Sequence, residues 1–367
     1  MTRSRHLVAG LLLAAALLGG FSWWVLAAKP PAKTAVRSVQ CYKAEAPVDC
    51  FLAAAKGRLA GVADPNERAE ALVELLYALA GTQGQDEVLL KEALDLTFDA
   101  AVKPIRQMDL LYAIDLYGSA GESLPPQTFS AAVGRFVKLA GELKGADLVE
   151  LHLGACAIVG WDEPFRERWL PFAQAVCTPE RLEAMATDGV VQGALVLAMM
   201  PVAMTLHEEW EGFAAMAARG LAWLEQAEKL AAKSKEREEH EFVAFMGVLM
   251  HSLNALCLDA FERADDAGGE AEQALRALRR LEKRFGLSAK SVPLRRQVVE
   301  ILFRVERAAE AKKLLREMLA RVDADPKGRQ LPAAEQVAVL ALAARLEHDE
   351  RAAREGGECR PEGTISI

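Results

Sequence analysis

Residues 64–81 read DPNERAEALVELLYALAG, and the way this stretch starts, stops and recurs decides the fold class. Asp64 is placed to cap a helix. Pro65 stands at its first position, where a missing N–H costs nothing, and Glu67 at its third, near the positive helix end. Gly81 closes it. Between them Ala71, Leu72, Leu75, Leu76 and Leu79 fall at three- and four-residue steps, which predicts an amphipathic helix.

The block recurs. Residues 109–121 read DLLYAIDLYGSAG and residues 147–160 read DLVELHLGACAIVG, so closing glycines stand at 81, 121 and 160. Each block is followed by a second helical stretch, beginning at residues 86, 125 and 162. Toward the C-terminus, GGEAEQALRALRRLEKRFGL (268–287) aligns with AAEAKKLLREMLARVDADPK (308–327), again about one period later. Longer helices are expected over roughly 189–206, 208–232 and 236–262. A recurring unit near 40 residues predicts stacked helical hairpins, because a lone hairpin cannot bury its apolar face. The composition agrees: Ala and Leu dominate, aromatics are 6% and the hydrophobic fraction is 52%. The expected architecture is an all-α solenoid behind an N-terminal hydrophobic helix.

In LRRQVVEILFRVERAAEAKKLLREMLARVDADP (294–326), with its small residues, amphipathic second helix and closing Pro326, the chain resembles the tetratricopeptide-like helical repeats. The resemblance spans roughly 64–355 and implies a protein-binding scaffold.

Before the repeats, residues 7–28 carry no charge and follow Arg3, Arg5 and His6, the pattern of an export signal. Trp23 and Trp24 stand where an interfacial anchor would lie, and Val25-Leu26-Ala27 offers a small-residue cleavage site. A membrane anchor and a cleaved signal both stay open, and either sends the bulk out of the cytoplasm. The organisation expected is a signal or anchor helix (1–28), a linker and cap (29–63), hairpins (64–188), central helices (189–262), further hairpins (263–355) and a tail (356–367).

Export frames the cysteines. Cys41 and Cys50 lie nine apart around Pro47, so an oxidising compartment favours a disulfide stapling the cap. Cys156 and Cys257 are expected as buried small hydrophobes. Cys359, in a Gly-rich tail, is expected as an exposed thiol.

No catalytic signature is present. There is no His-Glu-x-x-His, Cys-x-x-Cys, Gly-x-Ser-x-Gly or phosphate-binding glycine loop, so no catalytic residue, metal or cofactor is assigned. The uncharged run GVVQGALVLAMMPVAMTL (189–206) is expected as a buried central helix. Met199, Met200 and Met204, with Trp210, mark the alternative of a pocket for a small hydrophobic ligand, or an unrecognised active site.

Charge is the sharpest remaining feature. Residues 276–316 hold 13 Lys or Arg against four Glu, within a chain of net charge −8. An acidic chain is a poor nucleic-acid binder, whereas a basic segment in it can steer an acidic partner. Arg279, Arg280, Arg284, Arg295 and Arg296 are the candidate contacts for a partner protein of the bacterial envelope. Against this, Arg276, Arg279, Arg280, Lys283 and Arg284 read as spread round more than one side of a helix, as on a merely solvated face.

Overall fold

The computed structural model describes residues 38–81, 86–119, 126–142, 210–260, 262–286, 291–326 and 328–354. Among them the chain is all-α, with no strand. A 3-10 turn (Ser38–Lys43) precedes α1 (Pro47–Leu59), α2 (Pro65–Gly81), α3 (Glu87–Thr97), α4 (Pro104–Ser119) and α5 (Pro126–Glu142). Then come α6 (Trp210–Ala231), α7 (Arg237–Ala260), α8 (Ala264–Phe285), α9 (Ser291–Arg304), α10 (Ala308–Ala324) and α11 (Ala333–Arg354). Two compact units divide the chain: residues 20–139 with 312–366, and residues 140–311.

In the first unit the opening stretch folds as its ends dictate. The Asp64 carboxylate accepts the N–H groups of Asn66 (2.9 Å) and Glu67 (3.0 Å). The expected single apolar stripe is not what forms. Every residue from Ala71 to Leu79 is buried, Glu74 and Tyr77 included, because α2 packs against α1, α3, α4 and α11. Arg68 ties three of these elements together. It pairs with Glu92 on α3 and donates to the carbonyls of Leu59 (2.9 Å) and Val62 (3.0 Å) at the end of α1.

Helix α11, the last described helix, packs against α1 and α2, the first two. An open linear stack, in which each repeat touches only its neighbours, has no such pairing. The sequence of α11 explains it. Val337 to Ala344 reads VAVLALAA and is buried on all sides, and a helix apolar all round needs cover from more than one direction.

The cap is also tied to α10 and the turn after it by polar contacts. Asp323 accepts the backbone N–H groups of Ser38 (2.6 Å) and Val39 (3.1 Å), and Arg58 donates to the Pro326 carbonyl (2.6 Å). The Arg316 guanidinium stands 5.5 Å from the centre of the Tyr42 ring. Between α10 and α11, Asp325 is buried and accepts three backbone N–H groups, those of Arg329, Gln330 and Leu331 (2.6–2.9 Å). Burial pushes its carboxyl up, yet these donors together hold it below the usual value.

In the second unit α7 packs against α6, α8 and α9. Residues 240–259 are long and apolar enough to cross a membrane by length and composition, and 72% of the window is buried inside the fold. Two turns here share one device. Glu262 and Glu306 both adopt left-handed backbone (φ 58° and 61°), and the N–H of the following Arg263 or Arg307 bonds to the carbonyl of Leu258 (2.9 Å) or Leu302 (2.7 Å). Each follows a helix end, in α7 and in α9, and each reads Glu-Arg-Ala.

Glycine adopts this conformation without the Cβ penalty. Glu306→Gly is therefore expected to raise stability by about 0.5–1 kcal/mol, read as an increase in the urea midpoint; a lower midpoint would show that the Glu306 side chain contributes more than the strain costs.

Candidate functional site

Helix α8 sorts the basic segment by side. Ala267, Ala271, Ala274, Leu275, Leu278 and Leu281 are buried, whereas Arg276, Arg279, Arg280, Lys283 and Arg284 are exposed. At 3.6 residues per turn these five cations occupy one arc of about 140°, so they share the solvent side. Arg276 is neutralised by Glu272 one turn earlier. Among the described residues Arg279, Arg280, Lys283 and Arg284 have no ion pair.

Arg295 and Arg296 do not belong to that surface. Each is 6% exposed on α9, a helix buried continuously from Leu294 to Leu302. Arg295 forks onto Glu282 of α8 through Nε (2.7 Å) and Nη2 (2.9 Å). This geometry locks α9 to α8 and leaves the guanidinium unavailable to a partner. Further along the basic segment, Arg307 pairs with Glu310 and Lys312 with Glu347 and Glu350.

Two residues missed by the sequence reading join the exposed row. The guanidinium carbons of Arg237, first residue of α7, and Arg284 lie 5.7 Å and 5.3 Å from the Phe285 ring centre. Phe285 thus gathers cations from two helices. Arg237 was hidden in the acid-rich run KEREEHEF, which reads as a solvated face.

Elsewhere, Cys41 and Cys50 are joined in a disulfide with their Cα atoms 5.4 Å apart, fastening the 3-10 turn to α1. Cys257 is buried, and burial pushes its thiol well above the usual value. The segments carrying Trp23, Trp24, Cys156, Cys177, Cys359, Met199, Met200 and Met204, and the side chain of Trp210, lie outside the described residues.

A second polar constellation, unsignalled in the sequence, lies between α2 and α4. Arg106 bonds to Asp109 (3.0 Å) and lies 3.5 Å from Glu70, both carboxylates being largely buried. Tyr77 and Tyr112 meet edge to face at 6.2 Å farther along. Burial pushes the Asp109 carboxyl up to about 6, with Glu70 and Glu74 adding to the rise and Arg106 opposing it. Glu67 is raised as well, by burial first and then by the Asp64 and Glu70 carboxylates.

Among the described residues no group of His, Cys, Asp and Glu is arranged to hold a metal ion. A shallow depression on α3, lined by Glu87, Val88, Lys91, Glu92 and Asp95, is open to solvent. Comparison with protein-family models, with curated proteins and with solved structures finds no match. The molecule is therefore described by its own geometry: an all-α protein with a one-sided cationic row at the end of the α7–α8 hairpin.

The raised Asp109 carboxyl has a stability consequence. The folded state takes up this proton near pH 6 and the unfolded chain only near the ordinary value of 3.8, so the group's unfavourable contribution at neutral pH is relieved as pH falls between them. Stability is expected to rise from pH 7 to pH 5 by about 1–1.5 kcal/mol from this group. Asp109→Asn removes most of that rise, as measured by urea unfolding at several pH values. An unchanged pH profile in the variant would place the proton elsewhere.

Proposed function

We propose that this chain is an exported, membrane-tethered helical-repeat protein that acts as a scaffold or assembly factor for another protein of the bacterial envelope. The observation that carries the proposal is the exposed row Arg279, Arg280, Lys283 and Arg284, held outward by a helix whose opposite face is buried. Desolvating charges is costly, so folding sends cations to water unless a carboxylate compensates them, as Glu282 compensates Arg295. A row left outward on one arc, in a chain of net charge −8, favours an acidic partner.

Export rests on the uncharged stretch 7–28 behind two arginines, and the Cys41–Cys50 disulfide suits an oxidising compartment. The helical-repeat assignment rests on the recurring hairpin blocks and on the shared Glu-Arg-Ala turn after α7 and α9. The first unit departs from an open stack through the α1–α11 pairing, and the proposal takes the second unit as the one that carries the scaffold surface.

The test is chemical crosslinking in intact cells, followed by affinity purification in mild detergent. A stoichiometric envelope protein is expected with the wild-type chain, and Arg279→Glu/Arg280→Glu/Arg284→Glu is expected to reduce its recovery at least about tenfold. Recovery that ignores the charge reversal would move the interface off α8; a chain that purifies alone would remove the scaffold function.

A further inference from the structure

The cationic row does not end with α8, and its extension onto α7 defines the chemistry of what it binds. Arg237 opens α7, where the positive end of the helix disfavours a cation. Two contacts offset this: the Phe285 ring and the Phe285 carbonyl, 3.5 Å from Arg237 Nη2. Loop 232–236 fixes the approach, with the Glu236 N–H bonded to Ser234 Oγ and His240 Nε2 to the Ser234 carbonyl (each 3.1 Å). The ordinary attraction of cations to a helix C-terminus accounts for Lys283 and Arg284. It accounts neither for Arg279 and Arg280, a turn or more earlier, nor for Arg237 at the wrong end of its own helix.

We infer that Arg237 and Arg284, gathered on Phe285, form a two-helix guanidinium clamp that binds carboxylates on an acidic helix of a partner protein, with Arg280, Lys283 and Arg279 continuing the contact along α8. This deepens the scaffold function and rests on it. Three features favour an acidic helix over an anionic bilayer. Guanidinium forks match planar carboxylates two-to-two. Arg280 and Arg284 stand four residues apart, about 6 Å along the axis, the rise at which Glu side chains recur on one face of a helix laid alongside. Phe285 is half-buried and engaged by the two arginines, so it does not serve as an apolar wedge, and the exposed Glu236 beside Arg237 repels a continuous anionic surface while leaving discrete carboxylates room.

The test uses the full-length chain in mild detergent with two probes: a synthetic helical peptide bearing Glu at every fourth position, and vesicles containing phosphatidylglycerol. The peptide is expected to bind in a salt-dependent manner. Arg237→Lys, which keeps the charge and loses the planar fork, is expected to weaken it about threefold or more, and Phe285→Leu, which removes no charge, by a similar factor. Thermal unfolding of both variants checks that they fold, and the exposed Arg354→Gln, on α11 of the other unit, is expected to leave binding unchanged. Peptide binding indifferent to Arg237→Lys and Phe285→Leu but lost on reversal of Arg279 and Arg280 would overturn the clamp and leave the scaffold standing. Vesicle binding through these residues without peptide binding would overturn the acidic-helix partner. Absence of binding to both probes would overturn the clamp altogether, while capture of a partner from cells tests the scaffold independently.

Discussion

Burial of α11 on all sides is the constraint on which the first unit depends. A helix reading VAVLALAA at its centre loses apolar stabilisation on whichever side is left in water, at roughly 25 cal/mol for each Å² exposed. Its cover comes from α1 and α2, at the other end of the chain, so the two ends fold as one body. The supporting contacts follow from that need. The Cys41–Cys50 disulfide removes freedom from the segment that must find α10 and α11, and Asp323 and Arg316 receive it. Asp325, satisfied by three backbone N–H groups, sets the turn that delivers α11.

The same chemistry sorts the basic segment. Cations facing a neighbouring helix are paired: Arg295 with Glu282, Lys312 with Glu347 and Glu350. Those facing water on the outer arc of α8 beyond Arg276 are not. Within the α7–α8 hairpin the exposed positive charge forms a short row on α8, sharpened at its end by Arg237 and Phe285. The proposed contact surface lies there because folding engages several of the remaining cations in ion pairs.

Helix boundaries were legible because they are set by local chemistry. Asp64, Pro65 and Gly81 bracket α2 as expected, and the helices over 208–232 and 236–262 are found as α6 and α7. What surrounds a helix was not legible. Glu74 and Tyr77 look like the polar side of an amphipathic α2, yet both are buried, since Arg345 and the α4 side chains that face them are remote in sequence. Arg295 and Arg296 look like surface residues for the same reason: periodicity finds one apolar face and cannot tell when a helix is enclosed on several. Arg237 carried no signal because its role comes from a ring 48 residues away. The Cys41–Cys50 pair was legible from its spacing read together with the export signal.

The central claim is that the outer arc of α8 is where a partner sits. Site-specific photocrosslinking in living cells tests it most directly, with the photoreactive residue placed in turn at Lys283 on that arc and at the exposed Lys91, Lys229 and Arg354 on other helices. One discrete protein adduct from position 283, absent from the other three, is the predicted result. Adducts from the other positions with none from 283 would contradict it and move the interface to another face of the molecule.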